Sequence, residues 1–174
     1  MSYISQIRYE EASSEVREQF DDQIRHHGRI TNMKKTLLHS VPSYKALMEW
    51  YTLRDVVQPF IGERGVNLFC YAISTENSCL ICSTFFAQLL DELGIEFEAF
   101  HFTEQEKLLI DYGRALVSKA HEIPESIYQG LKVDFNEEQI VALTAFGSIM
   151  IATNLINTAL KVDLDEELVP YTKR

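Results

Sequence analysis

Ser74-Thr75-Glu76-Asn77-Ser78-Cys79-Leu80-Ile81-Cys82 is the stretch on which the fold turns. It joins two apolar patterns of helical period. From Gly62 onward, Val66, Phe69, Cys70 and Ile73 share one stripe. Beyond the cysteines, Phe85, Phe86, Leu89, Leu90 and Leu93 repeat in the same way up to Gly94. Asn77 and Ser78 are both good N-cap residues, so a helix is expected to start there with both cysteines in its first turn.

Working outward, the rest of the chain also reads as helix. Val16, Phe20 and Ile24 recur every four residues after Ser13-Ser14, and Gly28 suits the C-cap of that helix. Thr31-Asn32 can cap a short helix carrying Leu37 and Leu38, and Pro42 suits the first turn of the next, with Leu47, Met48 and Tyr51 inside and Pro59 as its stop. Thr103 and Glu106 form a capping box. Pro124 opens a short helix with Ile127 and Leu131, and Asn136 with Gln139 starts a long apolar helix. The segment 95–102 comes nearest to the alternation of a strand, but it is short. The expectation is an all-α single domain spanning 1–174, with about seven to eight helices and no significant sheet.

Composition limits the function. A chain of 174 residues with 46% hydrophobic residues can enclose a sizeable core. Its net charge of −10 argues against nucleic acid and anionic membranes, which need a basic face. The run 140–160 is long enough for a membrane span, yet Thr144, Ser148, Thr153, Asn154 and Asn157 interrupt it, so a buried core helix is expected. The N-terminus MSYISQIRYEE has no apolar core before a small-residue cleavage site, and a cytoplasmic location is expected.

The chemistry-bearing feature is the Cys79-x-x-Cys82 pair. At a helix start the free N–H groups favour thiolate, the attacking species, and this spacing can close a small disulfide ring. The pair also fits plain packing, since a buried cysteine behaves as a small hydrophobe. A structural zinc site needs about four ligands, and the sequence has no second CxxC, so no metal is expected. Cys70 lies on the apolar stripe of its helix and reads as core.

With these residues in view, the chain resembles the alkylhydroperoxidase D-like (AhpD-like) branch of the carboxymuconolactone decarboxylase superfamily. Those proteins carry a Glu, eleven residues, Cys-x-x-Cys, three residues and a His. Arg29-Ile30-Thr31-Asn32-Met33 with Ser40-Val41-Pro42 is similar to the family's N-terminal helical pair. Thr103 to Leu116, and Phe135 to Ile140 ending in Asn154-Leu155-Ile156-Asn157, are similar to its C-terminal half. The resemblance implies an AhpD-like helical domain and a homo-oligomer, trimer or hexamer. It further implies reduction of a hydroperoxide or disulfide by a CxxC dithiol that a reducing partner regenerates, with no organic cofactor. It assigns attack to Cys82 and resolution to Cys79.

The departures from the pattern are specific. The family's Glu position holds Asn67 and its His position holds Phe86. An amide is no base at neutral pH and a phenyl ring moves no proton. Glu63, one turn before Asn67, and Glu76, next to the turn, are the substitute relay candidates. His26, His27, His39, His101 and His121 read as exposed residues, while Tyr71 and Tyr112 are further hydrogen-bond donors. Loss of the relay favours a rival reading, a non-enzymatic oligomeric binding or redox-sensing protein. Lactone decarboxylation, which needs no CxxC, is a distant third.

Overall fold

The structure is a computed structural model that describes residues 2–173. Among these it contains seven α-helices, two 3-10 segments and no strand. The helices are α1 (Ser14–His27), α2 (Asn32–Leu37), α3 (Val41–Glu76), α4 (Leu80–Glu92), α5 (Glu104–Ser118), α6 (Glu125–Asp134) and α7 (Glu137–Ala159). The all-α expectation therefore holds, and the helix ends show why. Ser13, Thr31 and Asn136 accept hydrogen bonds from N–H groups of the turns they cap. Both Thr103–Glu106 and Asn136–Gln139 form complete capping boxes. Gly28 closes α1 in the left-handed region at φ 75°.

Two local expectations are corrected. Pro59 does not stop its helix. α3 continues through it and bends at Gly62, whose φ of 73° and ψ of 166° lie in a region essentially reserved for glycine. Counted across this bend, the α-helical segments number eight. Ile24 is exposed, and Gln23 takes the buried place on α1 because its amide bridges to the Arg29 carbonyl and the Tyr44 hydroxyl. Residues 95–102 form no strand, as expected, but turns, with Phe97, Phe100 and Phe102 packed on Leu68, Leu90, Ile95 and Ile110. The C-terminal 3-10 segment (Glu166–Lys173), which no sequence pattern announced, packs against α4.

α3 is the centre of the molecule, flanked by α4, α5 and α7. Phe69, Ile73, Tyr112, Leu143 and Phe146 lie in one apolar cluster with all three cysteines. α7 approaches closely because of Gly147, where an added Cβ would stand 2.6 Å from Leu116 Cδ1. By length and composition alone α7 could cross a membrane, with a hydropathy of 1.7 over its most apolar window. In the fold it packs on α3 and buries Thr153, Asn154 and Asn157 as well as Leu143, Phe146 and Met150.

Candidate functional site

The turn between α3 and α4 fixes the first cysteine from two directions. Ser78 N–H reaches the Thr75 carbonyl at 3.0 Å, and Cys79 N–H reaches the Ser74 carbonyl at 3.0 Å. With Ser78 left-handed at φ 53°, these bonds make a Schellman closure of α3. That position usually holds glycine, so the serine stores strain next to the cysteines. Cys79 ends this closure and is itself the N-cap of α4. The expected cap residues, Asn77 and Ser78, instead finish α3.

This placement sets the acidity of the pair. The Cys79 thiol is pulled down to about 7, first by the hydrogen bond it accepts from the Cys82 thiol. The N–H groups of Cys82 and Ile81 and the Thr158 hydroxyl add to this, and together they outweigh burial. Cys82 moves the opposite way, pushed up by donating to Cys79 and by burial. The two sulfurs therefore share one proton near neutral pH, with the charge favoured on the helix cap. Asn157 on α7 donates its Nδ2 to Cys82 Sγ at 3.2 Å and to Met33 Sδ at 3.3 Å. Cys70 is fully buried, and burial pushes its thiol up. It packs in the core, as its stripe suggests.

Access separates the two sulfurs. A cavity of about 410 Å³ lies between α1, α2, α3, α4, α7 and the C-terminal segment, and Cys82 lines it while Cys79 does not. Asn67 and Phe86 line the same cavity as Cys82, and neither carries an acid or base. Glu63 reaches the cavity as an exposed residue, and Glu76 is exposed at the end of α3 away from it. Tyr112 is engaged with Thr144 at 2.6 Å, and Tyr71 packs on Phe97. Among the described residues no group of three His, Cys, Asp or Glu is placed to hold a metal ion.

No family profile and no curated protein matches this sequence. Solved structures match along almost its whole length. The apo form of the debrominase Bmp8 superimposes with a TM-score of 0.80 at 14% identity, over 98% of this chain and 96% of that one. A peroxidase-related protein from Ralstonia eutropha JMP134, described as an alkylhydroperoxidase AhpD core, gives 0.76 at 15% identity over 99% and 97%. The fold is AhpD-like. A second peroxidase-related protein, from Silicibacter sp. TM1040, gives 0.72 at 16% identity over 90% and 87%.

The AhpD-like fold also assembles residues that the sequence did not single out. Lys34 on α2 is buried and donates its Nζ to the Tyr51 hydroxyl at 2.6 Å, inside the cavity. His27, exposed as expected, stacks on Tyr51 at 3.8 Å. One signal for Lys34 is in the sequence. It precedes Leu37 and Leu38 by three and four residues, so it lies on the inward stripe of α2. Asn157 has a similar signal, as a polar residue deep in an apolar helix.

Proposed function

We propose that this chain is a thiol-dependent reductant of hydroperoxides, acting through Cys82 and Cys79. The observation that carries this reading is the division of labour between the sulfurs. Cys82 lines the cavity, and its neighbour on the helix cap is held near pKa 7. Cys79 acts as the base that draws the proton from Cys82 as a peroxide arrives. Cys82 sulfur attacks the distal peroxide oxygen, an S–O bond forms, the O–O bond breaks, and the alkoxide leaves as alcohol by taking the proton that Cys79 now holds. The Cys79 thiolate so restored attacks the sulfenic acid, closing a disulfide and expelling hydroxide, which a proton from solvent turns into water. An external dithiol reduces the disulfide. The peroxidase-related descriptions of two neighbours favour a peroxide over an organic bromide as oxidant.

The test is peptide mapping after one equivalent of cumene hydroperoxide is added to the reduced protein. One bridged peptide joining Cys79 to Cys82, with Cys70 still free, is expected. A bridge through Cys70, or no bridge, overturns the reading. Asn67 and Phe86 favour the second reading, a redox sensor with little turnover. A positioned acid–base group is worth ~10²–10⁴-fold, so the double variant N67E/F86H, if folded, should speed peroxide reduction. Gains below about tenfold would mean that the relay is not what limits the reaction.

We also propose a homo-oligomer, trimer or hexamer. Val133, Val141 and Leu155 on α6 and α7 are large apolar side chains left exposed on the single chain. Light scattering at micromolar concentration should exceed the 20.1 kDa of one chain at least threefold. A monomer would refute the assembly.

A further inference from the structure

We infer that the cavity above Cys82 is a carboxylate-binding pocket, in which Lys34 and Tyr51 take the acid group of an organic ligand with an apolar body. For the reaction proposed above, this names the substrate class: an organic hydroperoxide that also carries a carboxylate. That last step rests on the thiol reading, whereas the anion site stands on its own geometry.

The first observation is a buried cation without a counter-ion. Lys34 is 7% exposed, and among the described residues no carboxylate lies within ion-pair distance of its ammonium. The hydrogen-bond partner of that ammonium among the described residues is neutral, the Tyr51 hydroxyl. An ammonium taken out of water and left unpaired is costly, and an anion bound beside it would offset that cost. Asp165, the nearest candidate, spends its Oδ1 on the Asn32 N–H at 2.8 Å.

The second is the pairing of the pocket's cations. His27, Arg29, Lys34 and Arg54 line this cavity together with Glu63 and Asp165. Arg29 is tied to Glu167 and Arg54 to Asp55, so among the described residues that line the cavity Lys34 is the Lys or Arg side chain left without an ion-pair partner. Between the polar groups the walls are apolar, with Leu47, Met48, Phe85 and Leu89 among them. Such a mixture suits an amphipathic acid.

The third is an unmet acceptor beside the sulfur. Asn157 is 3% exposed and gives its amide N–H groups to Cys82 and Met33, while its Oδ1 is buried without a hydrogen-bond partner among the described residues. A hydroperoxide O–H supplies the donor that this oxygen lacks, next to the atom that would attack. Burial first, and then Arg29, pull the Lys34 ammonium down to about 7, with Asp165 opposing. A bound carboxylate restores the proton, so binding at mildly alkaline pH takes up protons.

Calorimetry on the reduced full-length chain at pH 7.5 tests the site, with 2-naphthoate and neutral 2-naphthamide as probes in two buffers of different ionisation enthalpy. Naphthoate should bind at least about tenfold more tightly than the amide, with net proton uptake. K34M and Y51F, each checked by circular dichroism, should weaken naphthoate at least about tenfold and about threefold respectively, and leave naphthamide unchanged. Equal binding of the two probes, no binding of naphthoate at millimolar concentration, or a folded K34M with unchanged affinity would each overturn the carboxylate site. The probe comparison needs no variant. Kinetics with cumene hydroperoxide and its ring-carboxylated analogue test the substrate class. The acid should show a KM at least about tenfold lower, and K34M should erase the difference. Equal KM values reject the substrate class. If neither peroxide is consumed, the thiol reading falls, and the naphthoate titration still decides the pocket.

Discussion

C82S is expected to lose hydroperoxide consumption by at least about 10³-fold, whereas C79S should still react once and then stop. The asymmetry follows from access set against acidity. Cys79 is the more acidic thiol, but it is 1% exposed and lies outside the cavity, so a peroxide entering there meets Cys82. In C79S the Cys82 sulfur keeps its cavity position and its Asn157 hydrogen bond, loses the resolving partner, and should accumulate as sulfenic acid. Dimedone labelling followed by mass spectrometry should find one adduct per chain, at Cys82. The initial oxidation should also slow, because serine is a far poorer base than the Cys79 thiolate. In C82S, Cys79 loses the hydrogen bond that contributes most to its acidity and remains covered. A C82S protein that forms sulfenic acid at Cys79 as fast as wild type forms its disulfide would reverse the roles. The first sulfur at the helix start would then be the nucleophile, as helix-terminus electrostatics alone suggest.

Much of this arrangement was legible in the sequence, because much of it is local. Capping residues announce themselves within four positions, and Ser13, Thr31, Thr103 and Asn136 all cap where the pattern put them. Residues one helical turn apart share a face, which is why Glu63 and Asn67 reach the same cavity and why Phe86 joins Cys82 there. Glu76 shows the limit of such reasoning. It stands three residues from Cys79 in the chain and still points into solvent. What stayed hidden depends on contacts between distant elements. The bond from Asn157 to Cys82 spans 75 positions, and the one from Lys34 to Tyr51 requires α2 to fold against α3. The C-terminal 3-10 segment has no period to read, and contacts with distant parts of the chain hold it, packing on α4 and the Arg29–Glu167 ion pair among them. The turn at Asn77-Ser78 misled for a different reason. Both residues are good caps, but a serine in the left-handed region moved the helix start onto Cys79 itself.

Unfolding measurements should show that Lys34 makes the ligand-free protein less stable at low pH than at high pH, by on the order of 5 kcal/mol. The ammonium is drawn from its ordinary 10.5 to about 7 in the fold. Between those values the unfolded chain holds a proton that the folded chain has released. Stability must therefore rise with pH through this window, and the penalty is complete below about 7. Other groups titrate there too, Cys79 among them, so the difference between wild type and K34M isolates the lysine. At pH 6.5 the variant should be the more stable protein, less the hydrogen bond to Tyr51, and its advantage should shrink steadily towards pH 10.5. Urea midpoints at fixed ionic strength and under reducing conditions measure this directly. Parallel pH curves for the two proteins would mean that Lys34 keeps its ordinary affinity for protons, and the buried unpaired cation would lose its energetic basis. Saturating naphthoate provides an internal control on the same curve. A carboxylate seated on the ammonium supplies the missing counter-charge, raises its proton affinity in the fold and flattens the slope in wild type. K34M, with nothing to titrate at that position, should respond to naphthoate with no change in slope.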